Sequence, residues 1–280
     1  MQAFSEFKNK DASFWAFIRF VSENLGYTEY RKKVVKSYSS DDIFSLCEKY
    51  NMPRNPLLID SAVHYSNLRA QLLNTIVESN LMDSEAARYE YNKLYPTYKA
   101  EHLKCAIPFN KQSGIMKQPA YFTSIINILT ELTIKDITGD QSSKGFDDDP
   151  RSLAYVWDQN KNLLSVSSRR FDGAYPSIES PALVWEIKEY YYTTSFGSRI
   201  ADGIYETQLD GFEFKELYER SGKKVFHVLF IDAYNTWWNM GKSYLCRIVD
   251  ALNSGLVDEV IVGREVFSRW PALLHEIINA

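Results

Sequence analysis

The sequence predicts a mixed α/β protein (α+β in its segregation), with an N-terminal helical domain ahead of a central mixed sheet flanked by helices. Apolar residues recur at helical spacing through much of residues 11–135. A polar run rich in Gly, Ser and Asp then interrupts the pattern at 136–150. Beyond it, short β-branched and aromatic runs alternate with helical periods, as in an α/β core. The expected division is a helical domain over 1–135 and a second domain over 136–280.

The elements follow in order. Residues 11–26 open on Asp11, carry apolar residues at helical spacing and end at Gly26. A short helix is expected over 40–50, ending near Asn51 and Pro53. A longer one follows over about 56–80, with Leu57, Leu58, Ala62, Leu68, Leu72, Leu73 and Ile76 as its apolar stripe. Residues 84–93 and 121–135 read as further helices. Two strands over 153–157 and 163–171 form a hairpin around a turn at 158–162. Then come a strand at 182–188, a helix at 198–219, a buried strand at 224–232, a helix at 241–253 and a last strand at 257–262.

Of the 280 residues, 45% are hydrophobic and 24% charged, the balance of a globular protein that buries a sizeable core. No run approaches the roughly 18 apolar residues of a membrane span. The first residues lack the basic start and apolar run of a signal peptide. The odd, scattered cysteines Cys47, Cys105 and Cys246 suit a reducing compartment. A cytoplasmic protein with no membrane partner is expected. The net charge of −4 hides an asymmetry: residues 1–135 carry a small basic excess and 136–280 a larger acidic one. Such a balance permits an enzyme acting on nucleic acid, because metal ions neutralise site carboxylates.

The strand at 182–188 carries the chemistry. Alternate residues share a face, so Leu183, Trp185 and Ile187 point one way, and Val184, Glu186 and Lys188 the other. Charges on an otherwise apolar strand are costly to bury unless paired or metal-bound. If Asp172, at the end of the preceding hairpin, reaches the same face, two carboxylates and an ammonium converge. That set suits a divalent metal held by hard oxygens, with Lys188 acting on a water or on transition-state charge. The plainer alternatives are a solvent-facing Glu-x-Lys pair and a simple Asp172-Gly173 turn.

Asp172, followed by Glu186-Ile187-Lys188, resembles the PD-(D/E)xK nuclease superfamily, which includes most type II restriction endonucleases. The resemblance implies a restriction-endonuclease-like core in which a hairpin delivers the Asp and the next strand the Glu-x-Lys. It implies Asp172, Glu186, Ile187 and Glu131 as the metal-holding set, with Glu131 on the helix preceding the hairpin. Gln208, in Gln208-Leu-Asp-Gly-Phe212, resembles the Gln of a Gln-x-x-x-Tyr motif, with Phe212 in place of Tyr and Gln208 as a phosphate or water contact. No Pro precedes Asp172 here, so the motif is the shorter D…ExK.

Several other groups are candidates for DNA contact. Arg31, Lys32, Lys33 and Lys36 precede a possible helix-turn-helix over about 40–80, and Arg54 lies in its break; an ordinary helical bundle gives the same outline. Arg170 adjoins Asp172. Arg199 follows Ser198, a candidate helix cap near a phosphate. Trp237 and Trp238 are expected in the core for at least one of the two. Asp147, Asp148 and Asp149 read as a solvated loop, and His227 as a satisfied core histidine. No Gly-rich phosphate loop is present.

The activity expected is Mg2+- or Mn2+-dependent hydrolysis of double-stranded DNA by a type II-like restriction endonuclease, acting as a homodimer. The alternatives are a repair or anti-phage nuclease that recognises DNA structure or modification, and a non-catalytic DNA- or protein-binding protein.

Overall fold

The computed structural model describes residues 1–29, 31–110 and 118–280. Helix α1 (Ala12–Leu25) starts where Asp11 accepts the Phe14 N–H. Strands β1 (Thr28–Glu29) and β2 (Val34–Val35) form a two-residue antiparallel ladder. Helix α2 (Ser40–Lys49) begins with a Ser39–Asp42 capping box, and α3 (Pro56–Leu72) with Asn55 as cap and Pro56 in its first turn. The helical path continues through a π turn (Leu73–Val77) into α4 (Glu78–Asn80).

The buried stripe of α3 is Ile59, Ala62, Tyr65, Ser66, Arg69 and Ala70, continuing to Leu73 and Val77. Only Ala62 and Leu73 of the expected stripe lie on it fully, while Leu57 is 82% exposed. The phase was hidden by Arg69. Its guanidinium is fully buried, yet it bonds both Asp250 oxygens at 2.9 and 3.0 Å and donates to Ser22.

Helix α5 (Ser84–Ala100) passes through Pro96, beyond its expected end, and α6 (Tyr121–Thr138) precedes the sheet region. Strands β3 (Tyr155–Trp157) and β4 (Leu163–Val166) form the expected hairpin, but as a separate two-stranded sheet. The main sheet contains β5 (Gly173–Tyr175), β6 (Leu183–Glu189), β7 (Phe226–Asp232) and β8 (Glu259–Val262) in the order β5-β6-β7-β8. The β5–β6 pair is antiparallel and the other two are parallel, so the sheet is mixed, with helices on both faces. Helix α7 (Ser198–Ser221) crosses from β6 to β7, α8 (Lys242–Asn253) from β7 to β8, and α9 (Val266–Ile278) follows. The sequence reading does not include β5 or α9.

Strand alternation sets the two faces. Leu183, Trp185, Val228, Phe230 and Ile261 pack with α5, α6 and α9. Leu229, Ile231, Val260 and Val262 pack with α7, α8 and the end of α3. Helices α1, α2 and most of α3 have their own core around Phe14, Ile43 and Tyr65. Helices α5 and α6, assigned to the helical part by a division at 135/136, therefore share a core with the sheet. The polar 136–150 stretch begins in the last turn of α6, and from Gly139 on it is a loop within that core unit: Phe146 packs on Trp185, and Asp147 pairs with Ala174. Cys47, Cys105 and Cys246 are free and buried. Among the described residues no helix is long and apolar enough to cross a membrane.

Strand β5 packs tightly beside Asp172. A Cβ added to Gly173 would fall 2.1 Å from the Trp185 ring, which is fully buried. Gly173→Ala is expected to destabilise the fold by about 1–3 kcal/mol or more, since overpacking forces a large ring to shift. Gly197→Ala, which meets nothing within 4 Å, serves as the control. Thermal denaturation of both checks this; equal midpoints would contradict the account.

Candidate active site

Strand β6 presents Glu186 and Lys188 towards α7, at 2% and 7% exposure. Helix α7 meets them with Gly203, Glu206 and Asp210, spaced at three and four residues and so on one side of the helix. Gly203 makes room: a Cβ there would stand 3.3 Å from Lys188 Cε. The Lys188 carbonyl accepts from Trp237 Nε1 at 3.3 Å, and Trp237 and Trp238 are both buried. Lys188 Nζ lies 3.0 Å from Glu186 Oε2 and 3.8 Å from Glu206.

Arg169 completes the cluster. It donates to Glu186 Oε1 at 2.7 Å and to Asp210 Oδ2 at 2.8 Å, and lies 3.3 Å from Glu206. Buried Ser167 holds its backbone: the hydroxyl accepts the Ala154 N–H and donates to the Arg169 carbonyl. Asp210 is fully buried, and its Oδ1 has no hydrogen-bond partner among the described residues.

Asp172 precedes β5 rather than ending the β3–β4 hairpin. Its N–H donates to the Trp185 carbonyl at 3.0 Å, and its Oδ2 accepts the Ile187 N–H at 2.7 Å. It therefore sits beside the Glu186–Lys188 stretch, on the solvent side of the cluster, and is exposed. Its carboxyl is pushed up, to about 7, by desolvation against densely packed atoms and by the like charge of Glu186. The open side lets water offset part of that push.

Burial also works against charge on Glu186 and Lys188, but there the cations and anions prevail. Lys188 and Arg169 hold Glu186 below the usual carboxylate range, and Glu186 holds Lys188 above the usual lysine range. Lys188 is thus a fixed ammonium. Burial raises Asp210 to about 7 despite Arg169.

The remaining expected site residues lie elsewhere. Glu131 is fully buried on α6, across the sheet from α7. It accepts the Lys104 and Cys105 N–H groups at 2.8 and 2.7 Å and pairs with Lys135 at 2.9 Å. That role is structural, and it takes Glu131 out of the metal-holding set. Gln208 faces away from the cluster, into a cleft beside Arg19 and Asp250. Arg31, Lys32 and Lys33 are exposed on the turn between β1 and β2. Lys36 packs on Tyr38 and donates to Leu25. Arg54 is paired with Glu48, and Arg170 is exposed. The α7 cap is Gly197 and not Ser198; the Arg199 side chain lies outside the described residues. Asp147 and Asp148 accept backbone N–H groups from Ile178 and Ala106, which makes the loop a brace. His227 is buried and held neutral, near 4, by desolvation. Its Nδ1 lies 3.2 Å from the Leu256 carbonyl, while Nε2 has no partner among the described residues.

Among the described residues no three His, Cys, Asp or Glu side chains form a ready metal cluster. A magnesium ion nonetheless fits what is present, because it commonly binds through one or two carboxylates and keeps several waters. The Arg169 guanidinium already stands as a cation between Glu186 and Asp210, and the buried Asp210 Oδ1 has no hydrogen-bond partner among the described residues.

No curated protein and no solved structure matches the chain. Residues 1–76 match the family model described as Domain of unknown function (DUF7690), so the match ends where α3 and its π turn run into the sheet core. Residues 82–277 match the model described as Domain of unknown function (DUF7687), and the chain belongs to that family.

Proposed function

We propose that the protein is a magnesium-dependent endodeoxyribonuclease with a restriction-endonuclease-like core, acting on double-stranded DNA as a homodimer. The observation that carries the reading is the convergence of Asp172 with buried Glu186 and Lys188. The carboxylate of Asp172 is anchored on the Ile187 N–H, between the two charged residues of β6. The succession of hairpin, Asp172 at the entry of β5, Glu-x-Lys strand, helix and parallel strand supports it further.

Asp172 and Glu186 would hold Mg2+ or Mn2+, beside the main chain of Ile187. When bound, such an ion polarises a phosphoryl oxygen and lowers the pKa of a water. Lys188 keeps its proton, so it acts as a donor: it orients the attacking water and offsets negative charge at phosphorus. Arg169, paired with Glu186, would stay tethered by Asp210 and Glu206 if Glu186 held the ion. Exposed Asp172 gives the site its open side. One catalytic set per chain cuts one strand, so two-fold symmetry supplies the second cut.

A plasmid digest with a magnesium titration, run beside Asp172→Asn, tests this. Expected are discrete bands from the parent and no cutting by the variant at any magnesium concentration. A smear, or cutting confined to modified or damaged DNA, would shift the class to a repair or anti-phage nuclease. A variant that cuts like its parent would sink the assignment. A second reading, a non-catalytic DNA- or protein-binding protein, is favoured by one observation: cations within the chain already take both Glu186 oxygens. It requires metal-independent binding and no turnover.

A further inference from the structure

We propose that the cleft between α1, α7 and α8 is a binding site for a nucleotide phosphate, held by Arg19 and Arg247 with aromatic side chains for the base. The cleft has a volume of about 330 Å3 and is lined by Arg19, Glu23 and Tyr27 from the helical part. Tyr205 and Gln208 of α7 and Arg247 and Asp250 of α8 form the other wall. That size lies at the lower end of the roughly 300–1,000 Å3 of small-ligand sites. A smaller extension shares Arg19, Gln208 and Asp250 and adds the Trp15 side chain.

The charge arrangement selects an anion. Asp250 is already neutralised by buried Arg69, which bonds both its oxygens, and it also accepts the Tyr65 hydroxyl at 2.6 Å. Arg247 is held rather than neutralised. Its guanidinium lies over the Tyr27 and Tyr244 rings at 5.5 and 4.9 Å and donates to the Tyr205 hydroxyl at 2.8 Å. Its ion pair is Glu23, 3.6 Å away and 65% exposed, so water screens that charge. Arg19 is exposed and makes no ion pair or hydrogen bond with the described residues. One oriented and one free guanidinium line the cleft together with the Gln208 amide, and these are donors of the kind that phosphate oxygens accept from.

The cleft is larger than a phosphate alone, and aromatic side chains flank the cations. Half-exposed Tyr205 and the Trp15 of the extension offer faces on which a base stacks. The ligand chemistry is therefore a phosphomonoester attached to a planar base, from a free mononucleotide or from the phosphorylated end of a strand. The site joins the two parts of the chain that match separate family models, with Arg19 in one and Arg247 in the other.

Calorimetry with the full chain tests this without any cleavage step, so its outcome is independent of the nuclease reading. The probes are inorganic phosphate, adenosine monophosphate, and one oligonucleotide with either a 5′-phosphate or a 5′-hydroxyl end. Binding of the mononucleotide identifies a free-nucleotide site; binding of the 5′-phosphorylated strand alone identifies a strand end. In either case Arg19→Ala is expected to weaken binding by about tenfold or more, the loss of charge-assisted hydrogen bonds. Gln208→Ala is expected to weaken it less. Both side chains lie outside the core, so the variants fold. The proposal is overturned if no probe binds at millimolar concentration, if Arg19→Ala binds like the parent, or if inorganic phosphate binds as tightly as the nucleotide.

Discussion

Lys188→Met is expected to lose at least about a hundredfold of magnesium-dependent DNA cleavage while still binding DNA. The size follows from the geometry. Lys188 is 7% exposed, its ammonium lies 3.0 Å from Glu186, and its side chain runs against Gly203, so the charge is fixed before substrate arrives. A preorganised donor of this kind typically contributes about 10²–10³ in turnover. The same substitution leaves Glu186 with Arg169 as its principal cation, and breaking a buried pair costs about 3–5 kcal/mol. Circular dichroism and a denaturation midpoint are therefore measured on the same preparation. A second variant separates chemistry from folding. Gly203→Ala keeps the ammonium but brings a Cβ to 3.3 Å from Lys188 Cε, so it is expected to lower turnover without removing it. Full activity in a folded Lys188→Met protein would make the cluster a structural brace of α7.

The strand bearing Glu186 and Lys188 was readable because strand periodicity is two and needs no partner to phase it. Leu183 and Trp185 did turn to the α6 and α9 side, and Glu186 and Lys188 to α7. Helix faces were harder. Gln208 and Asp210 are two residues apart, and only the position of Gly203 against Lys188 tells which of them meets the cluster. Acidic residues at 206 and 210, one turn apart and following Gly203, were a usable signal. Arg169 lies in an irregular stretch after β4, where no periodicity distinguishes it from exposed Arg170; the deciding group is the buried Ser167 hydroxyl. The α3 phase failed because an ion pair with Asp250, 181 residues away, makes an arginine the centre of a buried stripe. Strand β5 has three residues, too few for a pattern, and Asp172-Gly173 reads equally well as a turn. Glu131 was found on the right kind of helix, but its partners, the Lys104 and Cys105 amides, belong to a loop that no local pattern links to it.

Stability should fall as pH rises from about 5.5 to 8, the reverse of a protein held mainly by salt-bridged carboxylates. Asp232 and Glu189 end the neighbouring strands β7 and β6, face each other across the ladder, and are almost wholly buried. Desolvation raises both to about 7, as it does Asp210. A carboxyl whose pKa is higher in the folded chain than in the unfolded one binds more protons when folded. Its folded state is therefore favoured below about 7 and loses ground as the pH climbs from the unfolded value through 7. His227, held near 4, works in the opposite sense below its unfolded pKa, but it is one group against four, since Asp172 is raised to about 7 as well. Each tenfold change in proton affinity is worth about 1.4 kcal/mol, so Asp232 alone contributes on the order of a few kcal/mol. Its oxygens accept the Met82 and Ala233 N–H groups and the Tyr191 hydroxyl, a set that asparagine can nearly reproduce. Asp232→Asn is thus expected to match the parent near pH 4, where the aspartate is protonated in both states, to exceed it increasingly up to pH 8, and to flatten the pH dependence by about a quarter. Urea midpoints at three pH values decide the matter. A parent midpoint that rises towards pH 8 would mean these carboxylates are ionised and compensated in the fold, and the variant would then be less stable at every pH.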